Sequence, residues 1–271
     1  MKASIKISLV LAVCAGAFFA CSKEEKKPVD DTQTTVELST ANAINDRLYE
    51  DVLDEVNSVN LESGLYLRTA QTCRTITVEN VTANPWPKKV TVDYGTGCTT
   101  GVITRKGKII YTITNKFLIS GSTISVSFDG YSVNDYKLEG AFAITNTTTG
   151  NTISFTTQTT AGKLTYPDGK WFTYVGNRAW TQTGGNATPY DVTDDEYTGT
   201  GSGTLTSSTG NVLAATIKTG LLRKISCVNV VSGVVEGTFN NIPGSLDFGS
   251  GTCDKNATLT VANKTYEVTL P

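Results

Sequence analysis

The sequence predicts an all-β fold: an antiparallel, hairpin-rich sandwich or curved sheet with an internally duplicated β unit, preceded by one N-terminal amphipathic helix. Three observations carry this. From residue 73 onward the chain is rich in Thr, Val, Ile, Tyr and Phe, and Gly, Asn and Asp punctuate it about every eight to twelve residues, the pattern of strands joined by tight turns. The pairs Lys106-Gly107, Asp129-Gly130, Gly150-Asn151, Asp168-Gly169 and Gly210-Asn211 are hairpin signals, and no connection between strands is long enough for a crossover helix. Only residues 39–62 repeat their apolar side chains at helical spacing.

The first element is a secretory signal over residues 1–20. Lys2 and Lys6 precede an apolar run from Ile7 to Ala20 that is too short to span a bilayer as a helix. Its end, Phe18-Phe19-Ala20-Cys21, resembles the lipobox of bacterial lipoproteins, which implies acylation of Cys21; cleavage near Ala20 without lipid is the alternative. Residues 21–38 read as a lipid-anchored flexible tether, because SKEEKKPVDDTQTT has almost no apolar content to bury. Ser22-Lys-Glu-Glu25 resembles the acidic export signal of surface-displayed Bacteroidota lipoproteins.

The helix follows over 39–62. Ile44, Leu48, Val52, Val56 and Val59 recur at three- and four-residue steps, Tyr49 and Leu53 widen the stripe, and Ser39 or Thr40 is the expected N-cap. The stripe is expected to cover one end or face of the sheet.

The β body occupies 63–271, with short strands read between Arg74 and Leu270, and two stretches of it match. Cys73 to Asp93 spans twenty residues, as does Cys227 to Asp247, and DYGTGC (93–98) returns as DFGSGTC (247–253). Thirteen residues beyond each second Cys stands Tyr111 or Tyr266. Two related units, around 73–114 and 227–270, thus each own one Cys pair. Four Cys allow three pairings; the repeat makes Cys73–Cys98 and Cys227–Cys253 the economical assignment, with cross-pairing between the copies as the alternative. Each bridge closes about 25 residues and is worth roughly 3–4 kcal/mol. The Asp and Gly of the repeated motif are assigned to turn geometry rather than to a phosphate cradle, since no helix N-terminus, GxxxxGK[ST] or HRD accompanies them. A smaller echo, Leu138-Glu-Gly-Ala-Phe142 and Val235-Glu-Gly-Thr-Phe239, suggests Gly-marked bends.

Composition limits the chemistry. There is no His, which excludes Ser-His-Asp and Cys-His nucleophiles, His-ligated zinc and His acid–base catalysis. Removing residues 1–20 takes away two Lys and no acid, leaving a net charge of about −4 and no basic footprint for nucleic acid. No catalytic residue, cofactor or metal is assigned. Asp191-Val-Thr-Asp-Asp-Glu196 lacks the spacing of a known Ca²⁺ loop and reads as a solvated acidic loop. The candidate ligand surface is Trp171, Tyr174 and Trp180, an aromatic hairpin with a possible sugar-stacking face, together with Arg105 and Lys106 of the basic loop 104–108; core packing and a solvated hairpin are the plainer readings of each.

Taken together, Ala20-Cys21, the helical segment before residue 62, DYGTGC with Thr104-Arg-Lys-Gly-Lys-Ile109, the Asp194-Asp-x-Tyr197 region and the closing Cys227…Asp247-Phe-Gly-Ser-Gly-Thr-Cys253 resemble a group of uncharacterised Bacteroidota outer-membrane lipoproteins. The resemblance implies location and architecture and no chemistry. The expectation is a non-enzymatic, outer-membrane, surface-exposed lipoprotein, held by lipid at Cys21 and serving as a binding or structural module toward a glycan or an envelope protein. A glycan-binding accessory protein is the alternative, and a carboxylate-dependent hydrolase a more distant one.

Overall fold

A series of register irregularities runs from strand pair to strand pair and explains the shape of the molecule. The computed structural model describes residues 31–62, 73–82, 85–188, 191–239 and 242–270; the signal, Cys21 and the tether up to residue 30 lie outside these. These residues form one α-helix, α1 (Asp31–Glu62), a 3₁₀ turn at Val192–Asp194, and fifteen strands. They are β1 (Thr75–Asn80), β2 (Lys88–Asp93), β3 (Cys98–Thr100), β4 (Ile103–Ile113), β5 (Thr123–Val133), β6 (Tyr136–Glu139), β7 (Ala141–Asn146), β8 (Ser154–Thr165), β9 (Trp171–Gly184), β10 (Glu196–Ser207), β11 (Val212–Lys224), β12 (Ser232–Phe239), β13 (Ile242–Ser250), β14 (Asn256–Val261) and β15 (Lys264–Thr269). All join in one antiparallel sheet, a meander from β1 to β15 in which β6 and β7 act as one interrupted strand and β3 is a short hairpin on β4. The expected alternatives therefore resolve to a curved sheet and not to a sandwich of two.

Register shifts occur in β4–β5, β8–β9, β10–β11, β11–β12 and β12–β13. A bulge bends its strand and sharpens the local twist, so bulges repeated in successive pairs curl the whole sheet. Two of the expected hairpins are such bulges: Gly107 and Gly130 lie inside β4 and β5, facing each other. A Cβ on Gly107 would stand 2.3 Å from the Gly130 carbonyl oxygen, so only glycine permits the approach. Likewise the expected strands on either side of residues 159–162 and of Gly176 run together into β8 and β9. The expected turns at Gly150, Gly169 and Gly210 do adopt positive φ.

Gly140, which separates β6 from β7, has φ +97° and would place a Cβ 1.8 Å from the Ala161 carbonyl oxygen. Gly140→Ala is expected to cost at least about 2 kcal/mol in urea denaturation. Gly97→Ala, with no neighbour within 4 Å, is the control and should change stability by under about 0.5 kcal/mol. The bend expected at Gly140 is present; its echo Gly237 sits within an uninterrupted β12.

The sheet curls round α1. Leu38, Ile44, Leu48, Val52, Leu53 and Val56 are buried, but so are Asn42, Asn45, Glu50, Asp51 and Glu55, which lie on other sides of the same helix. Between Leu38 and Val56 every helix position is buried or half-buried, so the one-sided amphipathic reading is corrected for that stretch: the stripe is real, and most positions between its residues are buried as well, while Gln33 and Glu37 ahead of it are exposed. The helix also begins eight residues earlier than expected. Asp31–Leu38 is helical rather than tether, and Ser39 and Thr40 are internal positions rather than caps. Tertiary burial overrides weak local propensity there: Thr34, Thr35 and Leu38 are buried, and Glu37 pairs with Lys170 at 2.7 Å. No described helix is long and apolar enough to cross a membrane.

Both economical disulfides form, Cys73–Cys98 and Cys227–Cys253, with Cα separations of 5.4 and 5.3 Å. The repeated motif is the same turn twice. Asp93 Oδ1 accepts from the Gly95 amide and Asp247 Oδ1 from the Gly249 amide, both at 2.8 Å, and Tyr94 and Phe248 both point into the core. Beyond the turn the copies diverge. Asp93 pairs with Thr75, two residues after Cys73, whereas Asp247 pairs with Val234, seven after Cys227. The same twenty-residue spacing is spent differently, on a seven-residue connection between β1 and β2 in one copy and on a longer approach to β12 in the other. Tyr111 then faces β2, while Tyr266 lies one strand further out, on β15 paired with β14.

Candidate functional site

Within ten residues α1 carries Asp46, Glu50, Asp51, Asp54 and Glu55, and arginines from the surrounding chain converge on them. From β4, Arg105 makes a bidentate pair with Asp51, Nη2 donating to Oδ1 at 2.6 Å and Nε to Oδ2 at 3.1 Å, with Glu55 Oε1 3.4 Å away. From β9, Arg178 Nη2 donates to both Asp46 oxygens at 2.8 and 2.9 Å. From β11, Arg223 pairs with Asp54 and lies 3.7 Å from Glu50. Arg74, just ahead of β1, pairs with Glu55, which also accepts from the Tyr94 hydroxyl at 2.6 Å. An uncompensated charge in an interior is costly, so each guanidinium is tied to the carboxylate it faces.

Strand parity puts the arginines there. On β9, Phe172, Tyr174, Arg178 and Trp180 share one face, and on β11 Arg223 shares the face of Leu213, Ala215, Ile217 and Leu221. Burial opposes charge on Arg105, but Asp51 and Glu55 outweigh it and hold its pKa above the usual guanidinium value. Burial raises the hydroxyl pKa values of Tyr94 and Tyr131 further above the ordinary phenol range, with Glu55 adding to the effect at Tyr94 and Asp51 at Tyr131.

Glu50 is the poorly compensated member. Its Oε2 has no hydrogen-bond partner among the described residues, nor has the Tyr49 hydroxyl beside it. Burial pushes its carboxyl up to about 7, against the pull of Arg223 and Arg47. A folded-state pKa above the unfolded value means that the folded chain holds the extra proton, so stability is fully present below about 4.5 and falls as pH rises through 7. Glu50→Gln is thus expected to be near neutral at pH 4.5 and more stable than the parent at pH 8 by on the order of 3 kcal/mol. Urea midpoints across that range test this; equal differences at both pH values would contradict it.

Tyr49 and Glu50 line a cavity of about 30 Å³ between α1 and strands β7–β9, with Asp46, Tyr174 and Arg178 also on its wall. That is room for one or two waters, not for an organic substrate.

The expected ligand surface is redistributed. Tyr174 and Trp180 are core residues, and Arg105 is an interior ion-pair partner on β4 rather than part of a solvated loop. These three assignments are corrected, for one reason: each shares strand parity with core side chains. Lys106, one residue on, does face solvent and pairs with Asp135 at 2.6 Å. Trp171 is the exposed aromatic, 37% accessible, with the Lys163 ammonium 5.3 Å from its ring centroid. The acidic segment disperses its carboxylates: Asp191 accepts from Thr193, Asp194 from Thr188, buried Asp195 from Gln182, and Glu196 pairs with Lys224. Among the described residues no three His, Cys, Asp or Glu gather as metal ligands.

The helix–arginine network was missed by sequence reasoning, although its signal was present in two places: acids at 50, 51, 54 and 55 spread over more than one helix face, and arginines at core parity. Comparison with protein-family models finds no match, and comparisons with curated proteins and with solved structures find none either.

Proposed function

We propose that this chain is a lipid-anchored envelope lipoprotein, attached through Cys21 and displayed on the outer membrane, whose β body is a rigid binding or structural module. The observation that carries the reading is the junction of signal and body. Ala20-Cys21 closes a short apolar run, and the described helix begins at Asp31, so ten residue steps separate Cys21 from it and reach at most about 35 Å. The body is thereby held near the membrane, closer than a tether running to residue 38 would place it. Its interior is filled by α1, with the helix carboxylates engaged by arginines and a cavity of water size, which favours action through the outer surface over chemistry inside.

The test is metabolic labelling with an alkyne palmitate analogue. The parent is expected to take the label and fractionate with membranes, while Cys21→Ala loses the label and becomes soluble. An unlabelled parent would overturn the lipid assignment. Protection of the body from protease added to intact cells would overturn surface display.

A further inference from the structure

β1 and β15 are the two edges of the sheet, and among the described residues neither has a strand on its outer side. The phase of their hydrogen bonds fixes which backbone groups are left over. The Val81 amide donates to the Pro87 carbonyl at 3.0 Å, and the β1–β2 register places these two residues opposite each other. Bonded and unbonded pairs alternate in an antiparallel ladder, so Thr75, Thr77 and Glu79 turn their N–H and C=O toward β2, while Ile76, Val78 and Asn80 turn theirs away from the sheet. The Leu270 amide donates to the Lys255 carbonyl at 2.8 Å, which in the same way leaves Thr265, Glu267 and Thr269 as the free positions of β15.

The two edges differ in cover. Ile76 and Val78 stand opposite Val92 and Val90, both buried, so all four side chains belong to the inner face of the sheet. Ile76 is nonetheless only half-buried and Val78 is 42% accessible; Val81, just beyond the strand, is 53% accessible. On β15 the inner-face Val268, and Leu270 just beyond the strand, are buried. β1 also lacks the devices that block an edge, having no Lys, Pro or bulge.

An added strand must answer Ile76, Val78 and Asn80 together. The β1 of a second copy does so when laid antiparallel about a dyad at Val78. Val78 of one copy then faces Val78 of the other, Ile76 faces Asn80, and Thr75 faces Val81, and three N–H groups from each copy make six hydrogen bonds. Glu79, the one charge on the strand, faces Thr77 rather than its own copy. The equivalent pairing of β15 sets Glu267 directly against Glu267, and like charges so placed are destabilising.

We propose that the edge of β1 is a homodimerisation surface, on which a second copy of this chain lays its own β1 so that two sheets join into one. Six hydrogen bonds and a Val–Val contact make a small interface, of the class below about 1,200 Å² that associates transiently, so dimers form as concentration rises. Cys21 takes no part, and the pairing stands or falls separately from the lipid reading.

The full mature chain, purified in a density-matched detergent, is followed by sedimentation equilibrium over a concentration series, and a monomer–dimer equilibrium is expected. Val78→Lys keeps the backbone and the anchor but brings two ammonium groups together at the dyad, and should weaken dimerisation at least about tenfold. Val78→Pro deletes one free-edge N–H without touching the bonds to β2 and should do the same. Urea midpoints establish that both variants fold. Glu267→Ala, on the opposite edge, should dimerise as the parent does. Val78→Cys tests the register: its two Cα atoms would stand about 5.5 Å apart, within disulfide reach, while those of Thr77→Cys, offset by two residues, lie beyond it. With the four native cysteines closed in disulfides, mild oxidation should link the first variant as a dimer on a non-reducing gel and leave the second unlinked. A monomer at every concentration, dimers that survive both Val78→Lys and Val78→Pro, assemblies larger than a dimer such as a β1-to-β15 contact would build, or equal linking of both Cys variants would each overturn the proposal.

Discussion

Arg105→Ala is expected to lower the unfolding free energy by about 3–5 kcal/mol, since it removes the bidentate partner of buried Asp51 and leaves that carboxylate only the longer contacts to Arg47 at 3.7 Å and the Tyr131 hydroxyl at 3.5 Å, with part of the charge on Glu55 also uncompensated. Urea denaturation followed by tryptophan fluorescence measures this, and Lys106→Ala, one residue away in a solvent-exposed pair, should cost under about 1 kcal/mol. A loss below about 1 kcal/mol for Arg105→Ala would mean that the interior relaxes to admit water around Asp51. Replacing Arg105 and Asp51 together by Met and Leu should recover much of the loss, because the cost lies in the orphaned charge more than in the lost attraction.

Removing either disulfide is expected to cost roughly 3–4 kcal/mol by the loop-entropy estimate, since both close loops of similar length, with sequence separations of 25 and 26. The two double variants, Cys73→Ala with Cys98→Ala and Cys227→Ala with Cys253→Ala, are compared by urea denaturation. The first should lose the more. Cys98 is the cross-strand partner of Arg105, and Cys73 precedes Arg74, so this bridge holds two guanidinium groups against Glu55. A cycle combining that pair with Arg105→Ala should therefore show coupling of about 0.5–3 kcal/mol, whereas the Cys227–Cys253 pair should add independently. A linked Cys73–Cys227 peptide in a non-reducing digest, or an unchanged midpoint after reduction, would contradict this account.

Much of the fold was legible in the residues. Period-two alternation and turn residues announce antiparallel strands, because a strand with one buried face must alternate. The duplicated Cys–Asp–Gly–Cys spacing predicts both disulfides and both Asp-capped turns, because those features are local. Gly107 and Gly130 were legible only as glycines. Whether such a residue reverses the chain or bulges a continuous strand depends on what pairs opposite, and here each faces the other across β4 and β5. The candidate ligand residues misled for a related reason: composition marks Tyr174, Trp180 and Arg105 as able to bind, but strand parity turns them inward.

By itself, then, the sequence determined the fold class, the two matched turns and the absence of histidine chemistry, and it favoured the pairing of the cysteines that the structure shows, all of which follow from spacing and composition along the chain. Only the tertiary structure decided that the sheet stays single and curls round the helix. That is because curling is the sum of bulges set by pairing between strands, and because a helical stretch with five acids in ten residues can be packed inside the sheet only when arginines from three strands and from the segment ahead of β1 arrive at the same place.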